Sequence, residues 1–335
     1  MKVKIVDVAR EANVSVATVS RVVNNIPLVN EETKERVLEA IKKTGYKPNA
    51  IARSLKIQRT NTLGIMIPDI SNPLYTEMVR GVEDICGIYN YNIILSNTDF
   101  SPEKEHESLD VLIEKQCDGI IYIGKNLSEE FQETLKNAPS EIVLGCVSDE
   151  KGELSSVLID NESAAYDLAK KAIDAGYKNF ALFYDRDEGF VNRKRIDGVR
   201  RALDEAGIEL DPELILRGNI NVKGGHSMMT KLLESGKEFD IVMCMNDQVA
   251  IGAIRAAEDA GRKVPDDIAV TGFNDYWISE WFDPKITTVR QPMYDIGAIA
   301  ARMLIKMCES DEKESRTITA PYEIVARQSM PEHAC

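Results

Sequence analysis

The second of two short helices predicted near the start of the chain carries side chains that can contact the edges of DNA bases. The candidate contacts on and just after this helix are Val16, Ala17, Thr18, Ser20, Arg21 and Asn24. The guanidinium of Arg21 can donate to O6 and N7 of a guanine, and small apolar groups such as Val16 and Ala17 can meet a thymine methyl group. Short hydroxyl and amide groups more often bind phosphates or cap the helix. We therefore predict base reading by Val16, Ala17, Thr18 and Arg21, with a phosphate contact alone as the alternative for Arg21.

Two amphipathic helices must hold these side chains in place. Their inner faces are apolar, formed by Val8, Ala9 and Ala12 in the first helix and by Val19, Val22 and Val23 in the second. Asn13 suits the tight turn between them, and Ser15 is a natural N-cap for the second helix. Two helices joined by so few residues form a helix-turn-helix, which lays its second helix in the major groove. The alternative is an ordinary helical hairpin in a small bundle.

A third helix and a short basic segment follow. Asn30 begins the helix, which runs to about Thr44 and ends at Gly45. Its predicted inner face consists of Val37, Leu38 and Ile41. Asn49 caps the segment Ala50–Lys56, which is too short to be a stable helix alone. A marginal helix of this kind orders only when it finds a partner.

Charge is divided unevenly along the chain. The formal net charge is −14, but residues 1–59 hold twelve Lys and Arg against six Asp and Glu, and the remaining residues hold 29 against 49. A basic head on an acidic body is the distribution expected when phosphates are bound at one end. The acidic body repels DNA and so confines the contact to the head.

Length and composition limit the class of protein. A chain of 335 residues with 44% hydrophobic and 29% charged residues is typical of a globular protein of two or three domains. No apolar run approaches the roughly 20 residues of a membrane span. No signal-peptide pattern precedes the first helix. These features predict a cytoplasmic location and no membrane partner.

The sequence holds no recognisable catalytic or metal-binding constellation. The three histidines are far apart, and the six cysteines are scattered without a CxxC pair or metal-ligand spacing. The two glycines of Val222–His226 lack the spacing of a dinucleotide fingerprint, and no nucleophile elbow or phosphate loop is present. We therefore predict no enzyme, no metal and no cofactor.

From Leu63 onward, short apolar strands alternate with amphipathic helices. Ten or so predicted strands fall into two series, the first ending near Ile159 and the second near Phe273. Alternation of this kind indicates parallel, doubly wound sheets. Two such series predict two similar subdomains, with ligands at the carboxyl ends of strands or between the halves.

The whole chain resembles the LacI/GalR family of bacterial transcription regulators. The residues that carry the resemblance are Asp7–Arg10, Ala17–Val22, Gly45, Tyr46, Pro48, Asn49, Ala52, Arg53, Leu55, Gly64, Ile67–Asp69, Ser71–Pro73, Asn246, Asp247, Gly252, Val264, Pro265, Asp267, Gly272, Phe273 and Thr287–Pro292. The resemblance implies an α/β protein: an N-terminal all-α helix-turn-helix head and a periplasmic-binding-protein-like core of two doubly wound parallel-sheet subdomains.

The resemblance also implies how the chain is divided. The expected parts are a head over residues 1–48, a hinge helix and linker over 49–61, an N-subdomain over 62–160 and 291–320, and a C-subdomain over 161–290 and 321–335. The chain then crosses three times between the subdomains. It is expected to act as a homodimer on palindromic double-stranded DNA.

In such a dimer the hinge contacts the minor groove. Leu55 is apolar within a polar, basic segment, and the matching leucine of the family is wedged with its dimer mate into the centre of the site. Unstacking a base step costs a few kcal/mol and is offset by the new contacts of bent DNA. Ala52 and Arg53 flank Leu55 as further expected contacts, and Asn49 precedes them. Packing of Leu55 on the protein is the alternative.

The resemblance places a small-molecule effector between the subdomains. The matching positions are Ser71, Asn72, Leu74, Tyr75, Asp160, Arg195, Asn246 and Asn274. At the last of these the chain departs from the family, because Asn274 stands where an aspartate usually accepts sugar hydroxyls. This puts ordinary sugar binding in doubt. Tyr276, Trp277 and Trp281 follow closely, and their aromatic faces can stack on a sugar ring. The alternative for the two tryptophans is packing in the core or at its rim.

Within the family, the chain resembles the subgroup that acts in carbon catabolite control, whose N-subdomain binds HPr phosphorylated on a serine. That likeness rests on Asp7–Ala12, Arg80, Gly81, Glu83–Ile85, Tyr91–Asn97 and Gln291–Ala298. The implied HPr contacts are Glu77, Arg80, Asp84, Tyr294, Asp295 and Arg302. Arg302 falls two turns after Asp295 on one helix face, and a guanidinium suits a phosphate. The alternative is a solvated helix face.

Two other functions remain open at this point. One is a local repressor that is released by a sugar or nucleoside, or that responds to a sugar phosphate. The other is a solute-binding protein with an unrelated helical head. Salt-dependent binding to palindromic DNA, lost on deletion of residues 1–60, separates a regulator from a solute-binding protein.

Overall fold

The computed structural model describes residues 3–23, 27–46, 59–149, 151–186, 189–310 and 315–331. These residues form two units, Met1–Thr60 and Asn61–Cys335, which are considered separately below. Five predicted DNA contacts lie outside the described residues: Asn24, Asn49, Ala52, Arg53 and Leu55.

The first unit contains three described helices: α1 (Ile5–Glu11), α2 (Val16–Val23) and α3 (Glu31–Thr44). Their shared core has Val8, Val19 and Val37 at its centre, each fully buried. The tight turn falls at Asn13, whose φ is 51°, a conformation that asparagine tolerates better than most residues. Ser15 caps α2, because its Oγ accepts from the backbone N–H of Thr18 at 3.1 Å. The predicted helix-turn-helix is confirmed.

One residue predicted for the inner face of α3 lies on the surface. Leu38 is 44% exposed, whereas Val37 and Ala40 are buried. The two buried residues are three positions apart and therefore share a helix face, which turns Leu38 toward solvent. Asn30 caps the start of the helix, and its C-cap Gly45 has a φ of 67°, a left-handed conformation that glycine adopts without strain.

The second unit contains two parallel sheets, and the predicted fold class is confirmed. The first sheet has the strand order β11-β5-β4-β3-β1-β2. Its strands are β1 (Thr62–Ile67), β2 (Asn92–Asn97), β3 (Gly119–Ile123), β4 (Glu141–Gly145), β5 (Ser155–Ile159) and β11 (Thr317–Ala320). Helices of this half are α4 (Pro73–Tyr89), α5 (Pro102–Glu114), α6 (Glu129–Lys136) and α12 (Met293–Glu309).

The second sheet has the order β7-β6-β8-β9. Its strands are β6 (Phe180–Asp185), β7 (Ile215–Gly218), β8 (Ile241–Cys244) and β9 (Ala269–Thr271). Its helices are α7 (Asn161–Ala175), α8 (Phe190–Glu205), α9 (Val222–Glu234), α10 (Asp247–Asp259) and the short α11 (Ile278–Trp281). An antiparallel pair, β10 (Thr288–Arg290) with β12 (Glu323–Val325), completes the unit.

The chain passes between the two sheets more than once. It leaves the first sheet after β5, returns through α12 to β11, and then pairs β12 with β10. The carboxyl ends of β3 and β6 carry residues that meet across the gap between the sheets. Within the described part of the chain, no helix is long and apolar enough to span a membrane.

Candidate functional site

Helix α2 presents most of its predicted DNA contacts to solvent. Val16, Ala17 and Arg21 are exposed, and Thr18 and Ser20 are half-buried. The Thr18 hydroxyl lies 2.9 Å from Ser15 Oγ, so this side chain is already part of the helix cap. An exposed Val16 is unusual for an apolar side chain and leaves its methyl groups available to a thymine.

The second unit contains a cavity between its two sheets. The centre of a water molecule has access to about 70 Å³ of it, and the free space including open solvent at its mouth is about 650 Å³. Its described lining includes six of the eight predicted effector residues: Asn72, Leu74, Tyr75, Arg195, Asn246 and Asn274. Two predicted residues do not line it. Asp160 is exposed and caps α7 through Ser163, and the Ser71 hydroxyl donates to Asp69.

Helix N-termini supply several of the polar groups around the cavity. Asn72 Oδ1 caps α4 by accepting from the N–H of Leu74 at 3.0 Å, and Asn246 Oδ1 caps α10 by accepting from the N–H of Val249 at 2.8 Å. Capping satisfies backbone donors that a helix leaves without partners. Both asparagine side chains are thereby held in fixed positions at the cavity wall.

Two side-chain contacts join the two halves of the second unit at the cavity. Lys125, after β3, pairs with Asp185, at the end of β6, with Nζ and Oδ2 2.5 Å apart. The hydroxyl of Tyr276, after β9, donates to Asn72 Oδ1 at 3.0 Å. Each contact joins a residue from the half that contains the first sheet to a residue from the half that contains the second sheet.

Arg195 lies at the centre of the cavity wall. Its side chain projects from α8, is 7% exposed, and stacks with its guanidinium carbon 3.5 Å from the centre of the Phe273 ring. It donates to Asn161 Oδ1 at 2.9 Å, to the carbonyl of Met245 at 2.8 Å and to Asn274 Oδ1 at 3.4 Å. Burial lowers the pKa of Arg195 to about 10, because the charged form loses its hydration.

Asn274 occupies a special backbone conformation beside Arg195. Its φ is 103°, in the region that side chains with a Cβ rarely enter. Its Oδ1 accepts from Gln291 Nε2 at 2.6 Å, and its Nδ2 donates to the Tyr276 hydroxyl at 3.3 Å. The amide thus has partners on both of its polar atoms. Strained backbone of this kind concentrates at functional sites.

Sequence reasoning missed a second group of cavity residues. They are Lys125, Cys146, Asn161, Asp185, Asn192 and Gln291, whereas Tyr276, expected as an aromatic ligand contact, does line the cavity. Four of them follow or end parallel strands, which is where ligand sites of α/β sheets lie. Listing the polar residues directly after each predicted strand therefore provides a signal that finds Lys125, Asp185 and Asn161.

The two tryptophans neither line the described cavity nor pack in the core. Trp277 is 69% exposed and Trp281 is 76% exposed. The expectation of packing in the core is therefore wrong for both side chains, which lie at the surface. Tyr276 points inward instead, held by its backbone N–H donating to the buried carboxylate of Asp247 at 2.7 Å.

The predicted partner contacts form one surface on α4 and α12. The Tyr294 hydroxyl donates to Asp84 Oδ2 at 2.8 Å, and Arg80 Nε lies 3.6 Å from Asp84 Oδ1. The helices pack closely because Gly81 has no side chain: a Cβ there would lie 2.0 Å from the Tyr294 carbonyl oxygen. Arg302 is exposed on α12, two turns beyond Asp295.

Acidic groups lie at one end of this surface. Burial raises the pKa of Glu77, and the nearby carboxylates of Asp275 and Asp295 raise it further. Like charges close together favour a partner that brings positive charge. The surface therefore combines an acidic part around Glu77 with a cationic side chain at Arg302.

Family comparisons match both units. Residues 4–49 match "Bacterial regulatory proteins, lacI family", and residues 60–328 match "Periplasmic binding proteins and sugar binding domain of LacI family". The chain belongs to the LacI family, and it is a DNA-binding transcriptional regulator of that family.

Individual relatives cover the chain from end to end. The HTH-type transcriptional regulator RegA of Clostridium saccharobutylicum is 46% identical over 330 residues, 98% of this chain and 99% of the relative. Catabolite control protein A of Priestia megaterium is 43% identical over the same length, with the same coverage. The crystal structure of the regulator CcpA of Lactococcus lactis matches with a TM-score of 0.75 at 36% identity, covering 81% of this chain and 99% of that one.

Proposed function

We propose that this regulator acts in carbon catabolite control. A dimer binds palindromic operators, and serine-phosphorylated HPr modulates its affinity. The proposal rests on end-to-end similarity to a catabolite control protein. It rests also on the surface on α4 and α12, where Tyr294 of one helix bonds to Asp84 of the other. The proposed division of the chain remains that of the sequence: a head over residues 1–48, a hinge over 49–61 and two subdomains beyond.

DNA recognition by the proposed dimer rests on the exposed side of α2. The exposed Arg21 supplies the one charged side chain of that helix, and Val16 and Ala17 supply its exposed apolar groups. Asn24, Asn49, Ala52, Arg53 and Leu55 complete the proposed set of DNA contacts. Binding to a palindromic duplex that weakens steeply with salt, and that disappears on deletion of residues 1–60, supports this part.

Docking of HPr rests on the charges of the surface on α4 and α12. Arg302 is proposed to bind the phosphoserine, since a guanidinium forms two parallel hydrogen bonds with a phosphate. Glu77, Asp84 and Asp295 are proposed to meet basic groups of the same partner. Tyr294 and Arg80 hold Asp84 in place through the contacts already described.

A titration of the protein–operator complex tests the regulatory part. Serine-phosphorylated HPr is added to one sample and unphosphorylated HPr to another, and operator affinity is measured by fluorescence anisotropy. Tighter operator binding with the phosphorylated form alone is the expected result. Equal effects of the two forms, or none, would remove HPr from the proposal.

A local repressor controlled by a small molecule is the second candidate, and the cavity favours it. Several polar groups converge on an enclosed space between the sheets, as effector sites require. Ser71 and Asp160 stay in the proposed effector set as residues that approach the ligand only in another arrangement of the subdomains. Release of operator DNA by one sugar, nucleoside or sugar phosphate, with no effect of HPr, would favour this candidate.

A further inference from the structure

Arg195 carries a buried positive charge and has no carboxylate among its described hydrogen-bond partners. The buried Asp247 acts on it electrostatically, but it neither bonds to Arg195 nor belongs to the described lining of the cavity. The three hydrogen-bond acceptors of Arg195 are all neutral: two side-chain amide oxygens, from Asn161 and Asn274, and the backbone carbonyl of Met245. A guanidinium has five N–H groups, so two of them remain without a protein acceptor among the described residues. A buried charge without a counter-charge is destabilising.

The other charged side chains of the described lining, and Asp275 beside it, already form ion pairs. Lys125 and Asp185, the other charged side chains in the described lining, pair with each other at 2.5 Å. Asp275 follows Asn274, but its carboxylate is bound by Arg290 at 2.7 Å and by Arg327 at 2.6 Å. The described lining therefore carries one positive charge in excess, on Arg195.

Asn274 is the residue that leaves the guanidinium of Arg195 without a bonded counter-charge. Its Oδ1 lies 3.4 Å from Arg195 Nη2, the position from which an aspartate of the same shape would form an ion pair. The amide offers only a weak dipole instead. Asn274 Oδ1 also accepts from Gln291, which fixes the amide in this orientation.

We propose that Asn274 determines the charge of the ligand: because it leaves Arg195 unneutralised, the cavity selects a small compound bearing an oxyanion, a phosphate ester or a carboxylate, over a neutral one. The selection rests on the proposed effector cavity. The ligand's oxyanion accepts from the two remaining N–H groups of Arg195, while the Phe273 ring supports the other face of the guanidinium.

Calorimetric titration of the full-length protein with matched compounds tests the selection. The pairs are ribose with ribose 5-phosphate and glucose with gluconate, and inorganic phosphate is titrated alone. These arms separate a phosphate ester from a carboxylate and from the bare ion. We expect at least one anionic compound to bind about tenfold more tightly than its neutral partner, the gain expected for a hydrogen bond to a charged group.

Three substitutions, one of them a matched control, test the role of Asn274. Asn274→Asp should lower the affinity for that anion at least about tenfold. It should also raise the melting temperature of the ligand-free protein, because it neutralises Arg195. Asn221→Asp adds the same charge at an exposed helix-capping residue outside the described lining of the cavity, and it should do neither. Arg195→Gln, which removes the charge, should abolish the preference even if Asn274→Asp fails to fold.

Several outcomes would overturn the selection. For the wild-type protein they are equal affinity for the neutral and anionic compounds of each pair, or no binding of any anion. For the variants they are an unchanged preference in Asn274→Asp or Arg195→Gln, or an equal loss of anion affinity in the two aspartate variants. Operator binding is measured on the same preparations. Absence of oxyanion selection in the wild-type protein, with operator binding intact, refutes this inference alone. Oxyanion selection without operator binding refutes the proposed regulator and leaves the selection standing.

Discussion

Lys125 Nζ and Asp185 Oδ2 lie 2.5 Å apart and join the two halves of the second unit at the mouth of the cavity. The two side chains are only 24% and 11% exposed, so their attraction is screened less by water than that of a surface pair. Nearby, the backbone N–H groups of Phe190 and Val191, at the start of α8, donate to Asn126 Oδ1 and to the Lys125 carbonyl. One half of the unit thus caps a helix of the other.

Breaking this pair should shift the unit toward a more open arrangement. Lys125→Met and Asp185→Asn should each increase the radius of gyration measured by small-angle X-ray scattering. The double variant should lose less free energy of unfolding than the sum of the losses in the two single variants, and the difference should be about 1–3 kcal/mol. Lys170→Met, at a more exposed pair with Asp174 within one helix, serves as the control. Additive effects and an unchanged radius would mean that the pair does not hold the halves together.

Asp247 gives the second unit a stability that depends on pH. Its carboxylate is fully buried and accepts from the Thr288 hydroxyl at 2.6 Å and from the backbone N–H of Tyr276. Burial is the main reason that its pKa rises to about 7. The folded protein therefore keeps a proton between about pH 4 and 7 that the unfolded chain has released.

We expect the contribution of Asp247 to the free energy of unfolding to fall as pH rises from about 4 to 7, and then to level off. Asp247→Asn removes this proton, so the difference between wild type and variant should change by up to about 1.4 kcal/mol per pH unit in that window. Urea unfolding followed by far-ultraviolet circular dichroism measures it. A difference that stays constant from pH 5 to 8 would show that Asp247 does not titrate there.

Sequence patterns predicted the elements of this fold well because each pattern is local. Helix α3 begins after Asn30 and ends at Thr44 before Gly45, as its flanking turn residues predict. The ion pair of Lys125 with Asp185 had no such signal, since it forms only when strands of different sheets approach each other. Leu38 and the two tryptophans were misplaced for a related reason: an apolar side chain does not reveal from sequence whether another surface covers it.

The role of Arg21 in base reading leads to a prediction about specificity. Arg21→Ala should weaken binding to the operator by about 1–3 kcal/mol and relax the preference at one guanine in each half-site. Arg36→Ala, an exposed arginine on α3, removes the same charge without changing α2. Binding to operators substituted one base pair at a time measures both effects. Equal weakening by Arg21→Ala on every sequence would identify Arg21 as a phosphate contact.

The charge on Arg302 should determine whether the regulator distinguishes phosphorylated from unphosphorylated HPr. Arg302→Ala should cost about 1.5–3 kcal/mol in affinity for the phosphorylated form, the value of a hydrogen bond to a charged group. Arg302→Lys keeps the charge but loses the planar fork, so it should restore only part of that affinity. Lys306→Ala, one turn further along α12 and also exposed, is the matched control. Surface plasmon resonance with both forms of HPr measures the difference, and equal losses for Arg302→Ala and Lys306→Ala would reduce Arg302 to one charge among several on a solvated face.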